Sequence, residues 1–293
     1  MSNVLITGCS SGIGLATALS LAKAGHNVYA TMRNPEKGQL LREKIAADKL
    51  PISIVALDVD SDDSVAKAFS QIHSRTGFID ALVNNAGVDY VGAVEELPFE
   101  AFRASMETNY FGALRCIRAC LSQMRERRSG CIVNVTSIAG RLAAAPMAAY
   151  TASKFALEAV SEALAQEVKA FNIRVAIVEP GVIDTAMARR AEESVTETHY
   201  PQTERFANLF AASLANPTPP AAVAEKIREI IESGTWKLRH PVGPDAQGFL
   251  AWRAAMSDEE WINWGASDDD AWYARLLRDF GLDARPKKKA LAS

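Results

Sequence analysis

The chain is poor in the residues that build metal and redox sites. It has four histidines in 293 residues, and His26, His73, His199 and His240 are scattered, so none is promoted to a catalytic role. The four cysteines, Cys9, Cys116, Cys120 and Cys131, lack both the Cys-x-x-Cys spacing and the nearby histidines that a zinc site needs, and no metal is expected. Cys116 and Cys120 stand one helical turn apart, a spacing open to a redox pair or to two thiols on a buried helix face; all four are expected as reduced thiols, mostly buried. Charge of one sign is also scarce. With 32 basic and 35 acidic side chains the formal net charge is −3, which favours neither nucleic acid nor an anionic membrane as partner and leaves a small molecule. No apolar run reaches the about 18 residues of a membrane span. The start, MSNVLITGCSSGIG, lacks a basic segment followed by a long apolar one, so no signal peptide is read and the expected compartment is the cytoplasm.

What is present is an alternation. Short apolar runs at Val4–Ile6, Asn27–Met32, Ile52–Leu57, Ala81–Val83, Cys131–Val135 and Arg174–Val178 read as strands, with a last one at Trp236–His240. Between them, Ile13–Ala24, Pro35–Ala47, Ser61–Arg75, Glu100–Arg127 and Ala152–Phe171 have helical period and crossover length. Runs that are mostly apolar rather than alternating indicate burial on both faces. The expected fold is therefore α/β: a doubly wound, Rossmann-like parallel sheet of about seven strands, with helices on both faces. Residues 1–242 form one dinucleotide-binding and catalytic domain, carrying an insertion at about 186–216. A helix over Pro219–Ser233 follows, with Thr218 as its N-cap. Residues 243–293 form a helical extension whose basic end is expected to fray.

At the first strand-to-helix turn lies Thr7-Gly8-Cys9-Ser10-Ser11-Gly12-Ile13-Gly14. Missing Cβ atoms at Gly8, Gly12 and Gly14 let the backbone turn tightly and approach a pyrophosphate, whose charge the helix N-terminal amides meet. An acidic residue closing the second strand would bind ribose hydroxyls; this chain has Met32 and then Arg33, a side chain suited to a 2′-phosphate, with Ser10 or Ser11 beside it. Tyr150 and Lys154, four apart on one helix face, follow Ser137 by thirteen and seventeen residues. A phenol of pKa about 10 serves as a base near neutrality only if a neighbouring positive charge stabilises its phenolate, which Lys154 can supply.

The Gly-x-x-x-Gly-x-Gly spacing, Asn84-Asn85-Ala86-Gly87, Ser137 and Tyr150-x-x-x-Lys154 together resemble the short-chain dehydrogenase/reductase family over residues 3 to about 185. Thr7–Gly14 with Tyr29–Asn34 is similar to its 17β-hydroxysteroid and retinol dehydrogenase branch. The resemblance implies hydride transfer between a nicotinamide and a carbonyl or alcohol carbon, NADP(H) preferred and NAD(H) possible, on a bulky apolar substrate. It implies Tyr150 as acid/base, Ser137 as donor to the substrate oxygen, Lys154 on the nicotinamide ribose, and Asn109 as anchor of a water joining the lysine to solvent. Asp58 and Val59 would face the adenine, and Asn85, Ala86 and Gly87 would support the cofactor. The turn Pro180-Gly181-Val182-Ile183-Asp184-Thr185 would meet the carboxamide through Ile183 and Thr185.

Substrate choice is expected from Val88–Val94, Ile138–Met147 and Ala186–Leu214. There Phe206, Leu209, Phe210 and Leu214 form either a lid or the packing beneath one. Trp252, Trp261, Trp264 and Trp272 pack the extension onto its own domain or onto a neighbouring subunit. The charge runs Asp268–Asp270 and Lys287–Lys289 read as solvated surface. A homodimer or homotetramer through the helices holding Glu100–Arg127 and Ala152–Phe171 follows from the resemblance. Two other readings stand beside the reductase: a nucleotide-sugar epimerase or dehydratase, and a nucleotide-sensing protein without chemistry.

Overall fold

The computed structural model describes residues 1–193 and 198–286. The apolar runs form strands β1 (Asn3–Ile6), β2 (Asn27–Met32), β3 (Ile52–Ala56), β4 (Ala81–Asn84), β5 (Gly130–Val135), β6 (Ile173–Pro180) and β7 (Arg239–Val242). They join one parallel sheet in the order β3-β2-β1-β4-β5-β6-β7. The order reverses between β1 and β4. Val4 pairs with Val28 on one side and with Ala81 on the other, so the carboxyl ends of β1, β2 and β4 finish nearly level and open a crevice at the switch point.

The helices are α1 (Gly12–Lys23), α2 (Gln39–Asp48), α3 (Asp62–Thr76), α4 (Phe99–Met106), α5 (Gly112–Arg127), α6 (Ala148–Lys169), α7 (Ala186–Glu193), α8 (Pro201–Ser213), α9 (Pro220–Ser233), α10 (Ala246–Ala254), α11 (Asp258–Gly265) and α12 (Asp269–Phe280). Alternate strand residues feed two cores. Val4, Ile6, Val28 and Val133 pack with Leu21 of α1 and Ile227 and Ile230 of α9, whereas Leu5, Leu82 and Ile132 pack with Phe69, Ile72, Ile117 and Leu164. Each such side chain contributes roughly 1.5–3 kcal/mol by leaving water, which makes both helical layers obligatory.

Several boundaries differ from expectation. The long helix over Glu100–Arg127 is three pieces, α4, a π-type turn over Glu107–Phe111 and α5, because Gly112 seats the chain against Val59 where a Cβ would lie 2.7 Å from Val59 Cγ2. Helix α6 starts four residues before Ala152, so Tyr150 sits in its first turn. Residues Pro35–Gly38 form a 3₁₀ turn, capped by the Asn34 side chain, before α2 begins. Thr218 does not cap α9. Its carbonyl accepts from Asp184 N at 2.9 Å and it pairs with Ile183, while Pro219 and Pro220 leave few amides there to cap. The last strand starts at Arg239 rather than Trp236, because Trp236 is 47% exposed and lies against the Lys169 ammonium instead of joining the sheet. Asp268 and Asp269 do more than meet solvent: one caps α12, the other pairs with Arg205. The Lys287–Lys289 run lies outside the described residues.

Candidate active site

A cleft of about 430 Å³ opens at the carboxyl edge of the sheet. Its walls take Gly8, Ser10, Ser11, Gly12 and Ile13 from the β1–α1 turn, Arg33 after β2, and Asp58 and Val59 after β3. Asn85, Ala86 and Gly87 come from β4, Ser137 from β5, Tyr150 and Lys154 from α6, and Pro180, Gly181, Ile183 and Thr185 from β6. Gly14 and Asn109 stand behind the wall.

The glycine turn is held by its neighbour strand. Thr7 Oγ1 accepts from the backbone amides of Asn85 and Ala86, both at 3.0 Å, and Asn85 Nδ2 donates to the carbonyls of Thr7 and Gly8 at 2.9 and 3.2 Å. Gly8 has φ +74°, and a Cβ there would lie 2.9 Å from Ala86 Cα. At Gly14 a Cβ would meet Gly8 O at 2.3 Å, so this glycine serves the seating of α1 against the turn rather than a ligand. Ser11, the α1 N-cap, uses no side-chain cap, leaving first-turn amides available to an anion in the cleft. A dinucleotide pyrophosphate fits this cradle.

At the other end, Lys154 Nζ donates to Val135 O at 3.0 Å and lies 5.5 Å from the centre of the Tyr150 ring. Burial lowers the lysine to about 8, opposed by the carboxylates of Asp89 and Glu158. Burial also raises the Tyr150 phenol, with the Asp89 charge adding to it and the neighbouring Ser137 hydroxyl drawing it partway back. The phenol is thus held protonated near neutrality, the form that can give a proton away. Ser137 Oγ accepts from Ala139 N at 3.1 Å and reaches Pro180 O at 3.4 Å, which fixes the hydroxyl beside the phenol. Asn109, 1% exposed, spends its amide on Val88 N and O and on Ser153 Oγ at 2.8–2.9 Å, clamping the β4 loop from behind.

At the adenine end, the exposed Arg33 is joined by Lys37 from the 3₁₀ turn and by Asn34. Sequence reading missed Lys37, because only the turn at Pro35 brings a residue four positions on into the same corner. It also missed Asp60, whose carboxyl burial raises and which accepts from Thr108 at 2.9 Å. Asp245 was invisible as well. Its carboxylate accepts from Val182 N at 2.8 Å across 63 residues and presses on Gly181, where a Cβ would lie 2.2 Å from Oδ1.

A family model described as short chain dehydrogenase matches residues 2–196. The chain belongs to the short-chain dehydrogenase/reductase family. It is 42% identical over 252 residues to retinol dehydrogenase 8 of Bos taurus, covering 80% of each chain. It is 36% identical over 255 residues to 3-ketodihydrosphingosine reductase of Bacteroides thetaiotaomicron, covering 85% of this chain and 90% of that one. Among solved structures, a short-chain dehydrogenase from Streptomyces avermitilis superposes with a TM-score of 0.76 at 35% identity, covering 91% of this chain and 99% of the other. Actinorhodin polyketide ketoreductase solved with NADPH gives 0.75 at 29% identity, covering 84% and 97%. The chain is therefore a nicotinamide-dependent oxidoreductase near the retinol dehydrogenase branch.

In this dehydrogenase α7 and α8 contribute one wall of the cleft. Met187, Arg190 and Phe210 face the cavity, Phe206 packs against Phe210 with ring centres 4.4 Å apart, and Phe206 and Leu214 are buried. Leu209 turns away into the aromatic cluster of the extension, so the apolar patch divides between cavity wall and packing. Trp252, Trp261, Trp264 and Trp272 form a continuous aromatic cluster with Phe249 and Phe280 on their own chain, with Trp264 stacked on Trp272, Phe249 on Phe280, and Trp252 edge-on to Trp264 and Phe280. Trp261 Nε1 donates to Ala143 O at 2.7 Å, and Arg205 Nε to Asp269 at 2.7 Å, tying the extension to the loop after β5 and to α8. The free thiols Cys9, Cys116, Cys120 and Cys131 are all buried, and among the described residues no group of metal-ligating side chains converges. No described helix is long and apolar enough to cross a membrane.

Proposed function

We propose that this dehydrogenase interconverts a bulky apolar ketone or aldehyde and its alcohol, preferring NADP(H), with Tyr150 as the proton donor and acceptor. The observation that carries the reading is the meeting of Ser137, Tyr150 and Lys154 at the floor of a cleft whose other end is a glycine cradle. A bound nicotinamide supplies or accepts the hydride at carbon. Everything else falls to the chain. Ser137 donates a hydrogen bond to the carbonyl oxygen, stabilising the negative charge that grows there. Tyr150 protonates that oxygen, and in the reverse direction removes the alcohol proton. Lys154, held on the Val135 carbonyl, sets the local field and is placed to hold the nicotinamide ribose. Asn109 fixes the loop that carries Gly87 and Val88; with its side chain spent on protein, a water joining lysine to solvent would rest on its backbone.

The cofactor preference rests on Arg33 and Lys37, two cations where a 2′-phosphate would lie. Ser10, Ser11 and the first-turn amides of Gly12 and Ile13 hold the phosphates. Asp58 and Val59 take the adenine, and Asn85, Ala86, Gly87, Pro180, Gly181, Ile183 and Thr185 take the remaining length. Met147, Met187 and Phe210 supply an apolar wall for the substrate, in keeping with the retinol in the name of the bovine relative. Phe99, Phe111 and Phe155, exposed on α4, the π-type turn and α6, supply an apolar face for a homodimer or homotetramer. Four unpaired thiols suit the reducing cytoplasm.

The test is a fluorescence titration with NADPH and NADH, followed by ketone turnover with the tighter one. Tyr150→Phe is expected to bind NADPH as the parent does and to lose about 100-fold or more in kcat. Wild-type turnover in that variant would refute the role.

A further inference from the structure

Two residues beyond Gly87, a carboxylate enters the cleft that the reaction does not call for. Asp89 lines the cavity, and its Oδ1 is sealed from solvent without a hydrogen-bond partner. A Cβ at Gly87 would lie 3.7 Å from Lys154 Nζ, so the loop carrying Asp89 runs directly past the catalytic lysine. The Asp89 charge is felt by Lys154, by Tyr150 and by Arg190 of α7. Burial pushes the Asp89 carboxyl up to about 6. Its charge also opposes the phenolate that alcohol oxidation requires at Tyr150. The Lys154 and Arg190 cations and the Tyr90 backbone offset part of the Asp89 charge, and Asp89 in turn supports the lysine ammonium, but a sealed acceptor oxygen without a donor of its own is still costly. The cost is recovered if a substrate brings the missing donor.

We propose that Asp89 is a specificity-determining residue that accepts a hydrogen bond from a hydroxyl or ammonium group borne near the reacting carbonyl. The substrate is then amphipathic: a hydrocarbon body against Met147, Met187 and Phe210, and a polar donor turned toward Asp89. This assignment rests on the ketone reductase reading above and narrows its substrate class.

The test compares acetophenone, α-hydroxyacetophenone and α-aminoacetophenone as probes, with wild type, Asp89→Ala and Asp89→Asn, by NADPH oxidation. The α-substituents alter carbonyl reactivity by themselves, so the quantity read is the change in each kcat/KM ratio to acetophenone on substitution. Losing one hydrogen bond to a charged group is expected to lower a ratio by about tenfold or more in Asp89→Ala. Asp89→Asn keeps an acceptor oxygen without the charge. A hydroxyl donor therefore retains much of its preference in that variant, and an ammonium loses it. Asp89→Asn carries the comparison if the alanine variant is unstable. Ratios unchanged within about twofold in both variants, with turnover intact, overturn the assignment alone. Absence of turnover by wild type on all three probes overturns the reductase reading and the assignment with it.

Discussion

Arg239→Met tests whether the buried acids Glu158 and Glu179, next to the cleft residues Lys154 and Pro180, depend on one cation. Arg239 Nε lies 3.1 Å from Glu158 Oε2 and 3.8 Å from Glu179 Oε1, and its Nη2 lies 2.8 Å from Glu162. The Glu179 side chain is 0% exposed and Glu158 6%, whereas the other cation on Glu179, Arg141 at 3.4 Å, is 43% exposed. At an effective dielectric of about 20, each close pair is worth roughly 5 kcal/mol of attraction before desolvation is subtracted. Removing the cation while both carboxylates stay buried should cost about 3 kcal/mol, and methionine keeps the packing of the stem. In a domain of this size that lowers the melting temperature by roughly 6 °C.

The pH dependence gives the sign. Burial raises both Glu158 and Glu179 above their unfolded values, so their favourable contribution is complete in acid and disappears as pH rises through the folded carboxyl values. Arg239 lowers both, and without it the loss is larger and extends to higher pH. The deficit should therefore be greater at about pH 8.5 than at about pH 5.5, read by thermal or urea unfolding. Adding Glu158→Gln, which can still accept from Thr136 Oγ1, now at 2.7 Å, should restore part of it. A deficit under about 1 kcal/mol, or one equal at both pH values, would refute the reasoning. Activity should fall as well, since Thr136 adjoins Ser137 and Glu179 adjoins Pro180.

Gly14→Ala places a Cβ 2.3 Å from Gly8 O and 2.6 Å from Asn85 Nδ2, so α1 must shift. We expect roughly 2 kcal/mol of destabilisation and at least about tenfold weaker NADPH binding by titration; near-native affinity would remove Gly14 from the seating of the turn. Arg33→Ala and Lys37→Ala should each weaken NADPH by about tenfold while moving NADH by less than about threefold, and equal losses for both nucleotides would dismiss the 2′-phosphate corner. Burial lifts the thiols of Cys131 to about 11 and of Cys9 and Cys120 to about 12. They should resist a thiol reagent at mildly alkaline pH until denaturant is added, and fast labelling of the native protein would contradict their burial.

Local pattern made much of this molecule legible. The strand runs are mostly apolar rather than alternating because each feeds both cores, and that is visible residue by residue in β1, β2 and β4. Thr7–Gly14, Ser137 and Tyr150-x-x-x-Lys154 were readable because each is a short segment whose spacing is itself the signal. Their convergence on one cleft followed from the parallel order, which sends every strand's carboxyl end to the same edge.

What stayed hidden depends on long-range placement. Asp245 reaches Val182 from 63 residues away, Trp261 reaches Ala143 from 118, and Arg239 meets Glu158 from 81; no periodicity announces such pairs. The long helix ends at Arg127 as expected, but its interior break stayed hidden for a related reason, since the π-type turn coincides with Gly112 seating on Val59, a contact that helix propensity does not register. Asp89 lay unnamed within the Val88–Val94 loop expected to choose substrate, and only the fold buried its carboxylate in the cleft with Lys154 and Tyr150. Sequence by itself determined the layers, the glycine turn and the pairing of Tyr150 with Lys154 on one helix face, because their physics is local backbone geometry and short-range spacing. The shape of the substrate side, its tryptophan buttress and its carboxylate were decided only by tertiary structure, because burial and electrostatic neighbourhood are properties of the packed chain.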